Sequence, residues 1–115
     1  LREAKALLSN AECVMAVTPY EHPIQRAMTV SPQGRLAYLQ PEYAKWRTQD
    51  CPPAYHDVGL LYYFSVNEFF ASGAESFLPM QLKAVIVPRT STVDIDTEED
   101  WVLAEALASQ LEHLV

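Results

Sequence analysis

The feature that most constrains the fold of this chain is an acidic segment that joins an apolar run to a strong helix signal. The apolar run covers residues 84–87, and the acidic segment lies within residues 92–101. In an extended segment alternate side chains share a face, so Asp94 and Asp96 are predicted to point one way and Ile95 the other, towards a core. Two neighbouring carboxylates suit a hard cation such as Mg²⁺, which needs only one or two protein carboxylates.

The same segment also carries the signals of a helix N-terminus. The Thr97 hydroxyl can cap the first free N–H groups, and Asp100 three residues later gives a pattern like a capping box. Acidic residues before a helix are most often caps and solvated charge, and Asp96 is itself a possible cap. Asp94 has no capping task. The residues therefore leave two interpretations open, a helix cap and a metal site.

Composition indicates one domain that is not built for nucleic acid. A length of 115 residues allows a single domain, and half of the residues are hydrophobic. The net charge of -7 argues against a duplex as partner, because phosphate binding needs a basic surface. No apolar run has the length of a membrane span. Cys13 and Cys51 lack metal-site spacing and are interpreted as reduced thiols of a cytoplasmic protein.

The first part of the chain has the pattern of an α/β layer. An apolar face on residues 1–9 predicts a helix, and the nearly continuous apolar residues 13–17 predict a buried strand of a parallel sheet. The chain begins with Leu and its first helix has no preceding strand, so we expect a fragment or a processed product. Residues 24–30 and 35–39 alternate around a turn and predict a hairpin. An isolated hairpin is marginal in water, so this one is expected to pack on another surface, such as a second subunit.

Two further stretches hold candidate ligand contacts. Arg47 lies in a loop-like stretch, residues 40–53. This stretch is either an ordinary surface loop or a binding loop in which the Arg47 guanidinium binds a carboxylate with two parallel hydrogen bonds. Gly59 marks a bend or a close approach of a ligand to the backbone. Because adjacent strand residues face opposite sides, His56 and Asp57 are not favoured as an acid–base pair, and ligand contact or scaffolding is the preferred role of His56.

The remaining elements are predicted from their caps and periodicity. Residues 60–64 are expected to form a buried strand, and Ser65 with Glu68 to cap a short helix that ends near Gly73. The last helix is predicted to run from about Glu98 to His113. Its core-facing stripe is expected to comprise Leu103, Leu107, Leu111 and Leu114.

Taken together, these residues resemble the C-terminal half of the acylneuraminate cytidylyltransferase family. The signature is Asp94-Ile95-Asp96-Thr97-Glu98-Glu99-Asp100-Trp101, followed by Leu103-Ala104-Glu105. The match extends back through residues 23–27, 47–50 and 55–59, which look most like the pseudaminic acid branch. Synthetases for sialic acid typically carry Lys at the position of Gln25 and a Pro-Asn-Gly sequence at residues 57–59.

The resemblance implies a fold, an activity and a set of site residues. The fold would be the C-terminal part of a Rossmann-like α/β nucleotidyltransferase sheet, with residues 19–53 as an inserted hairpin element that makes a homodimer. The family joins CTP to a nine-carbon keto sugar acid and releases pyrophosphate with Mg²⁺. Asp94 and Asp96 would hold the metal. The sugar would be surrounded by Gln25, Arg26, Arg47, Gln49, His56, Asp57, Tyr62 and Phe77.

The chain departs from the family in one large respect. The Arg-x-x-Ser-Lys type loop that holds CTP does not occur in it. The chain is therefore expected to lack the nucleotide-binding half and to be inactive alone. Two alternatives follow: the sugar is sialic, legionaminic or another related acid, or the chain is a non-catalytic oligomerisation module.

Overall fold

The computed structural model describes residues 1–73, 75–76 and 80–112 and shows a mixed α/β fold. Short 3₁₀ turns connect several of the regular elements. The helices are α1 (Arg2–Leu7), α2 (Val66–Ser72) and α3 (Glu98–Glu112), and the strands are β1 (Cys13–Pro19), β2 (Met28–Val30), β3 (Leu36–Tyr38), β4 (Tyr55–Phe64) and β5 (Leu82–Ile86).

Strand β1 is the centre of a three-stranded sheet with the order β4-β1-β5. It pairs with β5 in parallel, from Cys13 opposite Leu82 to Val17 opposite Ile86. Its apolar sequence is buried nearly throughout because strands flank it on both sides. Burial also raises the pKa of the Cys13 thiol. The predicted α/β class and parallel pairing are confirmed, whereas a complete Rossmann-like sheet stays a prediction.

The described core lies where α1 meets this sheet. Ala4 of α1, Val14 of β1 and Val85 of β5 are buried together, and half-buried residues of the neighbouring segments pack around them. Ala4 has no exposed surface, so the helix approaches the sheet closely at this small residue. Leu1, predicted on the same face, is instead 80% exposed.

Two predictions of burial are wrong. Leu60 and Tyr62 of β4 are 59% and 40% exposed, whereas the alternate residues Leu61 and Tyr63 pack on the core. β4 lies at the edge of the sheet that the described residues form, and its alternate side chains face opposite sides. On α3, Leu103 is 52% exposed rather than turned to a core. The Leu111 side chain, His113 and Leu114 lie outside the described residues.

Residues Pro19–His56 form a compact unit of their own, distinct from the unit of Leu1–Thr18 and Asp57–Val115. It contains the predicted hairpin, in which β2 and β3 pair antiparallel from Met28 opposite Tyr38 to Val30 opposite Leu36. The first strand is shorter than predicted. After Pro23 the chain makes a 3₁₀ turn over Ile24–Arg26, so pairing starts only at Met28.

In the described part of the chain, every helix is too short or too polar to cross a bilayer.

Strand β4 contains a left-handed residue, Gly59, with φ 61°. Apart from its two chain neighbours, none of the described residues has an atom within 4 Å of the position that a Cβ atom would take there, so it is the backbone conformation that favours Gly. We predict that Gly59→Ala lowers the free energy of unfolding by roughly 1–2 kcal/mol and that Gly59→Asn lowers it less, because Asn tolerates this conformation. Urea unfolding measures both. An Ala variant as stable as the parent would contradict the left-handed conformation.

Candidate functional site

The acidic segment starts from a well-anchored strand end. Directly after β5, the Val87 N–H donates to the Val17 carbonyl at 2.9 Å, and the buried Thr18 hydroxyl donates to the Val87 carbonyl at 2.9 Å. A 3₁₀ turn over Arg89–Ser91 follows, and Thr92 is extended. In open α/β sheets, ligands bind beyond the carboxyl ends of the strands. The acidic segment follows such an end.

The start of α3 is capped by Thr97 and Asp100. The Asp100 N–H donates to the Thr97 hydroxyl at 3.3 Å, while Asp100 Oδ2 accepts from the Thr97 N–H at 2.8 Å and from the Thr97 hydroxyl at 2.7 Å. The Asp96 N–H also donates to Asp100, at 3.2 Å. These bonds, first of all that from the Thr97 hydroxyl, lower the pKa of Asp100. The predicted capping box is confirmed, and the cap is Thr97 rather than Asp96.

This division of tasks leaves the Asp94 and Asp96 side chains without a structural role in the described fold. Both are exposed, and neither carboxylate has a hydrogen bond or ion pair with any of the described residues. Two such carboxylates supply the oxygen ligands that Mg²⁺ takes, with waters and phosphate oxygens completing its shell. The described residues include no group of three or more potential ligands, so these two acids fit Mg²⁺ only together with a ligand's own oxygens.

Ile95, between the two acids, is not in the core. It is 48% exposed and lines an apolar pocket of about 210 Å³ with Trp101 and Ala104 of α3. The prediction that Ile95 faces a core is therefore wrong for the described fold. It faces the first turns of α3 instead.

Asp57 and Tyr62 lie together on β4. Asp57 Oδ1 accepts from the Gly59 N–H at 2.9 Å, and Asp57 Oδ2 accepts from the Tyr62 hydroxyl. Sequence periodicity did not predict this contact, because residues five apart in a regular strand face opposite sides. The left-handed Gly59 between them was the available signal.

In the Pro19–His56 unit, Arg26 lines a pocket of about 390 Å³. Arg26 Nη1 donates to the Thr48 hydroxyl at 3.2 Å, and Gln25 Nε2 donates to the Pro52 carbonyl at 3.4 Å. Both side chains are thus held by the loop that follows the hairpin. Thr48, which sequence reasoning did not select, also lines the pocket; the other lining residues are Tyr20, His22, Pro23, Ile24, Ala27 and Met28.

Arg47 already binds a carboxylate of its own loop. Its Nε and Nη2 donate to the two oxygens of Asp50 at 2.7 and 3.0 Å, a paired geometry with Arg47 largely exposed. The guanidinium therefore has the predicted fork geometry, with Asp50 as its partner. Gln49, beside it, is exposed.

The His56 ring contacts the Tyr20 ring in a tilted geometry, with ring centroids 4.8 Å apart and an angle of 53° between the ring planes. This contact supports the scaffolding interpretation of His56. Phe77, the last residue of the predicted sugar site, lies outside the described residues.

Comparison with known proteins adds a relationship. No family model matches the chain. The chain is 30% identical over 103 residues to the pseudaminic acid cytidylyltransferases of two strains of Campylobacter jejuni subsp. jejuni, serotypes O:23/36 and O:2. The resemblance to the cytidylyltransferases is confirmed. The match covers 90% of this chain but 44% of each relative, so the chain spans less than half the length of the cytidylyltransferases that it matches.

The capping box predicts a dependence of stability on pH. The pKa of Asp100 is lowered in the folded chain, so the ionised carboxylate stabilises the fold. This contribution to the free energy of unfolding is present above the ordinary carboxyl pKa of about 3.9 and is lost as the pH falls through the pKa of the folded state. Asp100→Asn should therefore be less stable than the parent at pH 7, with the difference narrowing towards pH 3. Urea unfolding across this range measures it.

Asp94→Asn is the matched control, because it removes the same charge from the same segment without touching the cap. It should change the stability little at any pH. A constant difference between the parent and Asp100→Asn from pH 7 to pH 3 would contradict the ionised cap.

Proposed function

We propose that the protein carrying this chain is a cytoplasmic CMP-sugar synthetase. It transfers a cytidylyl group from CTP to a nine-carbon keto sugar acid and releases pyrophosphate. The observation that carries the proposal is the acidic segment: Asp94 and Asp96 are exposed after a parallel strand, and Thr97 and Asp100 relieve them of the capping task. The similarity to two pseudaminic acid cytidylyltransferases supports pseudaminic acid as the sugar.

In this reaction the anomeric hydroxyl of the sugar attacks the α-phosphorus of CTP. A new phosphorus–oxygen bond forms as the hydroxyl proton passes to solvent. The bond between the α-phosphorus and the oxygen that bridges to the β-phosphorus breaks, and pyrophosphate leaves with its electron pair. Mg²⁺, when bound, would offset the charge that develops on the phosphates. Asp94 and Asp96 would hold it. The capped start of α3 limits the movement of the backbone between Asp96 and Asp100 and so helps to fix one side of the site.

The sugar carboxylate is assigned to an arginine of the Pro19–His56 unit. Arg47 has the fork geometry that binds a carboxylate with two parallel bonds. Because the Arg47–Asp50 pair is exposed to solvent, a substrate carboxylate would compete with Asp50 for the same guanidinium. Gln25, Arg26 and Gln49 are proposed to contact the sugar beside it. Sialic and legionaminic acids also carry this carboxylate. Competition between the sugar acids as substrates of the intact protein shows which of them it uses.

The central test is pyrophosphate release by the intact protein with CTP, Mg²⁺ and pseudaminic acid. Asp94→Asn should lower the rate by about two orders of magnitude or more, on the order of what loss of one charge-stabilising group costs, while the unfolding midpoint stays unchanged. Glu99→Gln is the matched control and should leave the rate nearly unchanged, because Glu99 is an exposed acid of the first turn of α3 that is not assigned to the metal.

Two results would count against the proposal. Near-normal activity of Asp94→Asn would refute its metal role. The absence of turnover with pseudaminic, sialic and legionaminic acids would refute the synthetase itself and favour the oligomerisation module.

The hairpin supports a homodimer. Directly opposite residues of paired strands share a face, so one face of the hairpin carries Met28, Val30, Leu36 and Tyr38. Val30 and Leu36 are 67% and 64% exposed, an apolar face that another surface should cover. We propose that a second copy of the chain covers it, as expected from the resemblance.

Sedimentation of single variants tests this dimer. Leu36→Lys should weaken association at least about tenfold, since a charge would be buried in an apolar contact. Thr29→Lys is the control, because Thr29 pairs with Ala37 on the opposite face. A parent chain that remains monomeric over a wide concentration range would contradict the proposal, as would equal effects of the two variants.

A further inference from the structure

The Asp100 carboxylate holds more of the acidic segment than a helix cap requires. In a capping box, the acid of the first turn accepts a hydrogen bond from the N–H of the capping residue, which here is Thr97. Asp100 Oδ2 also accepts from a second amide, the Asp96 N–H, at 3.2 Å. The bonds with Thr97 belong to the cap, whereas the bond with Asp96 reaches one residue beyond it.

The bond with Asp96 fixes a residue that carries one of the two candidate metal ligands. Because two successive N–H groups, those of Asp96 and Thr97, converge on one oxygen atom, the backbone between them is held in one orientation. The Asp96 side chain is exposed, and its carboxylate has no hydrogen bond or ion pair with any of the described residues. The place of this carboxylate is therefore set by the held backbone and by its own side-chain torsions.

Asp94 has no comparable anchor. Neither its backbone nor its side chain has a hydrogen bond with any other residue in the described part of the chain. The pair thus combines a fixed ligand, Asp96, with an adaptable one, Asp94. A group that holds a metal ligand in place raises the affinity of the site, because less conformational freedom is lost when the metal binds.

Asp100 is not placed to be a third metal ligand. Asp94, Asp96 and Asp100 would make a group of three acids, and the described residues include no group of three or more potential ligands that could hold one ion. The Oδ2 atom of Asp100 already accepts three hydrogen bonds, from the Asp96 N–H, the Thr97 N–H and the Thr97 hydroxyl. An effect of Asp100 on a metal therefore passes through the backbone of Asp96.

We propose that Asp100 is a positioning residue of the metal site. Through the Asp96 N–H it holds the Asp96 carboxylate where it meets the divalent cation, and Asp94 adjusts to the cation that binds. This inference rests on the proposed function, because the cation is the Mg²⁺ that accompanies the nucleotide. It gives Asp100 a task in metal affinity besides its task in the helix cap.

The first test measures how variants of the intact protein bind the Mn²⁺–CTP complex. Asp100→Ala removes the acceptor and should raise the concentration for half-maximal paramagnetic broadening about tenfold, the low end of the cost of losing a group behind a metal ligand. Asp100→Asn removes the same charge but keeps an acceptor oxygen, so it should retain most of the affinity. The affinity for CTP without metal should be the same in both variants.

Two controls separate positioning from charge and from stability. Glu99→Gln removes an exposed acid of the same helix turn that has no hydrogen bond to Asp96, and so measures the effect of charge alone. Ser65→Ala removes the cap of another helix, α2, where the Glu68 N–H donates to the Ser65 hydroxyl at 3.4 Å. Both should bind Mn²⁺–CTP nearly as the parent does. Loss of one cap weakens a protein only modestly, so all variants should stay folded, which urea unfolding checks.

The second test needs neither metal nor activity. In the metal-free intact protein, the Asp96 amide proton should exchange with D₂O roughly two- to tenfold faster in Asp100→Ala than in the parent, because the amide loses its acceptor. Its exchange rate should be unchanged in Glu99→Gln and in Ser65→Ala.

The outcomes separate this inference from the proposed function. Equal losses of Mn²⁺–CTP affinity in Asp100→Ala, Asp100→Asn and Glu99→Gln would overturn the inference alone, since charge would then account for the whole effect. An unchanged exchange rate of the Asp96 amide in Asp100→Ala would overturn it as well. Broadening of the parent protein that is not centred on the acidic segment would refute the metal role in the proposed function and, with it, this inference.

Discussion

The parallel pairing of β1 with β5 is the constraint on which the described fold depends. It pairs residues 13–17 with residues 82–86 and so brings together two segments that are far apart in the sequence. The apolar sequence of β1 drives this pairing, because Val14 and its neighbours lose their contact with water only when strands cover both sides and α1 covers a face. The strands that carry the candidate site therefore take their positions from β1.

The candidate metal site depends on a separation of tasks within one acidic segment. A helix start needs a cap, and a metal needs carboxylates that are not already bound to the protein. Thr97 and Asp100 form the capping hydrogen bonds at the start of α3, and Asp94 and Asp96 remain exposed. β4 shows the reverse arrangement, because both carboxylate oxygens of Asp57 accept hydrogen bonds from its own strand, one from the Gly59 N–H and one from the Tyr62 hydroxyl.

The sequence was sufficient for features that a few neighbouring residues determine. The buried strand β1, the hairpin turn and the capping box of Thr97 and Asp100 follow from local pattern. Burial was less predictable, because it depends on which surfaces cover an element. Leu60 and Leu103 have apolar patterns but lie exposed in the described fold.

The contacts of the candidate site residues could not be predicted from the sequence. The resemblance selected Asp57, Tyr62 and Arg47, but regular strand alternation would place Asp57 and Tyr62 on opposite faces. The left-handed Gly59 between them interrupts this alternation, and the Tyr62 hydroxyl donates to Asp57. The pairing of Arg47 with Asp50 depends on a 3₁₀ turn that the sequence pattern did not indicate.

The central claim is that Asp94 and Asp96 bind a divalent cation together with the nucleotide. Paramagnetic broadening by Mn²⁺, observed on the backbone amides of the intact protein with CTP, tests it most directly. Broadening should be strongest around Asp94 and Asp96, require CTP and disappear in Asp94→Asn. Broadening that is centred elsewhere, or that persists unchanged in Asp94→Asn, would contradict it.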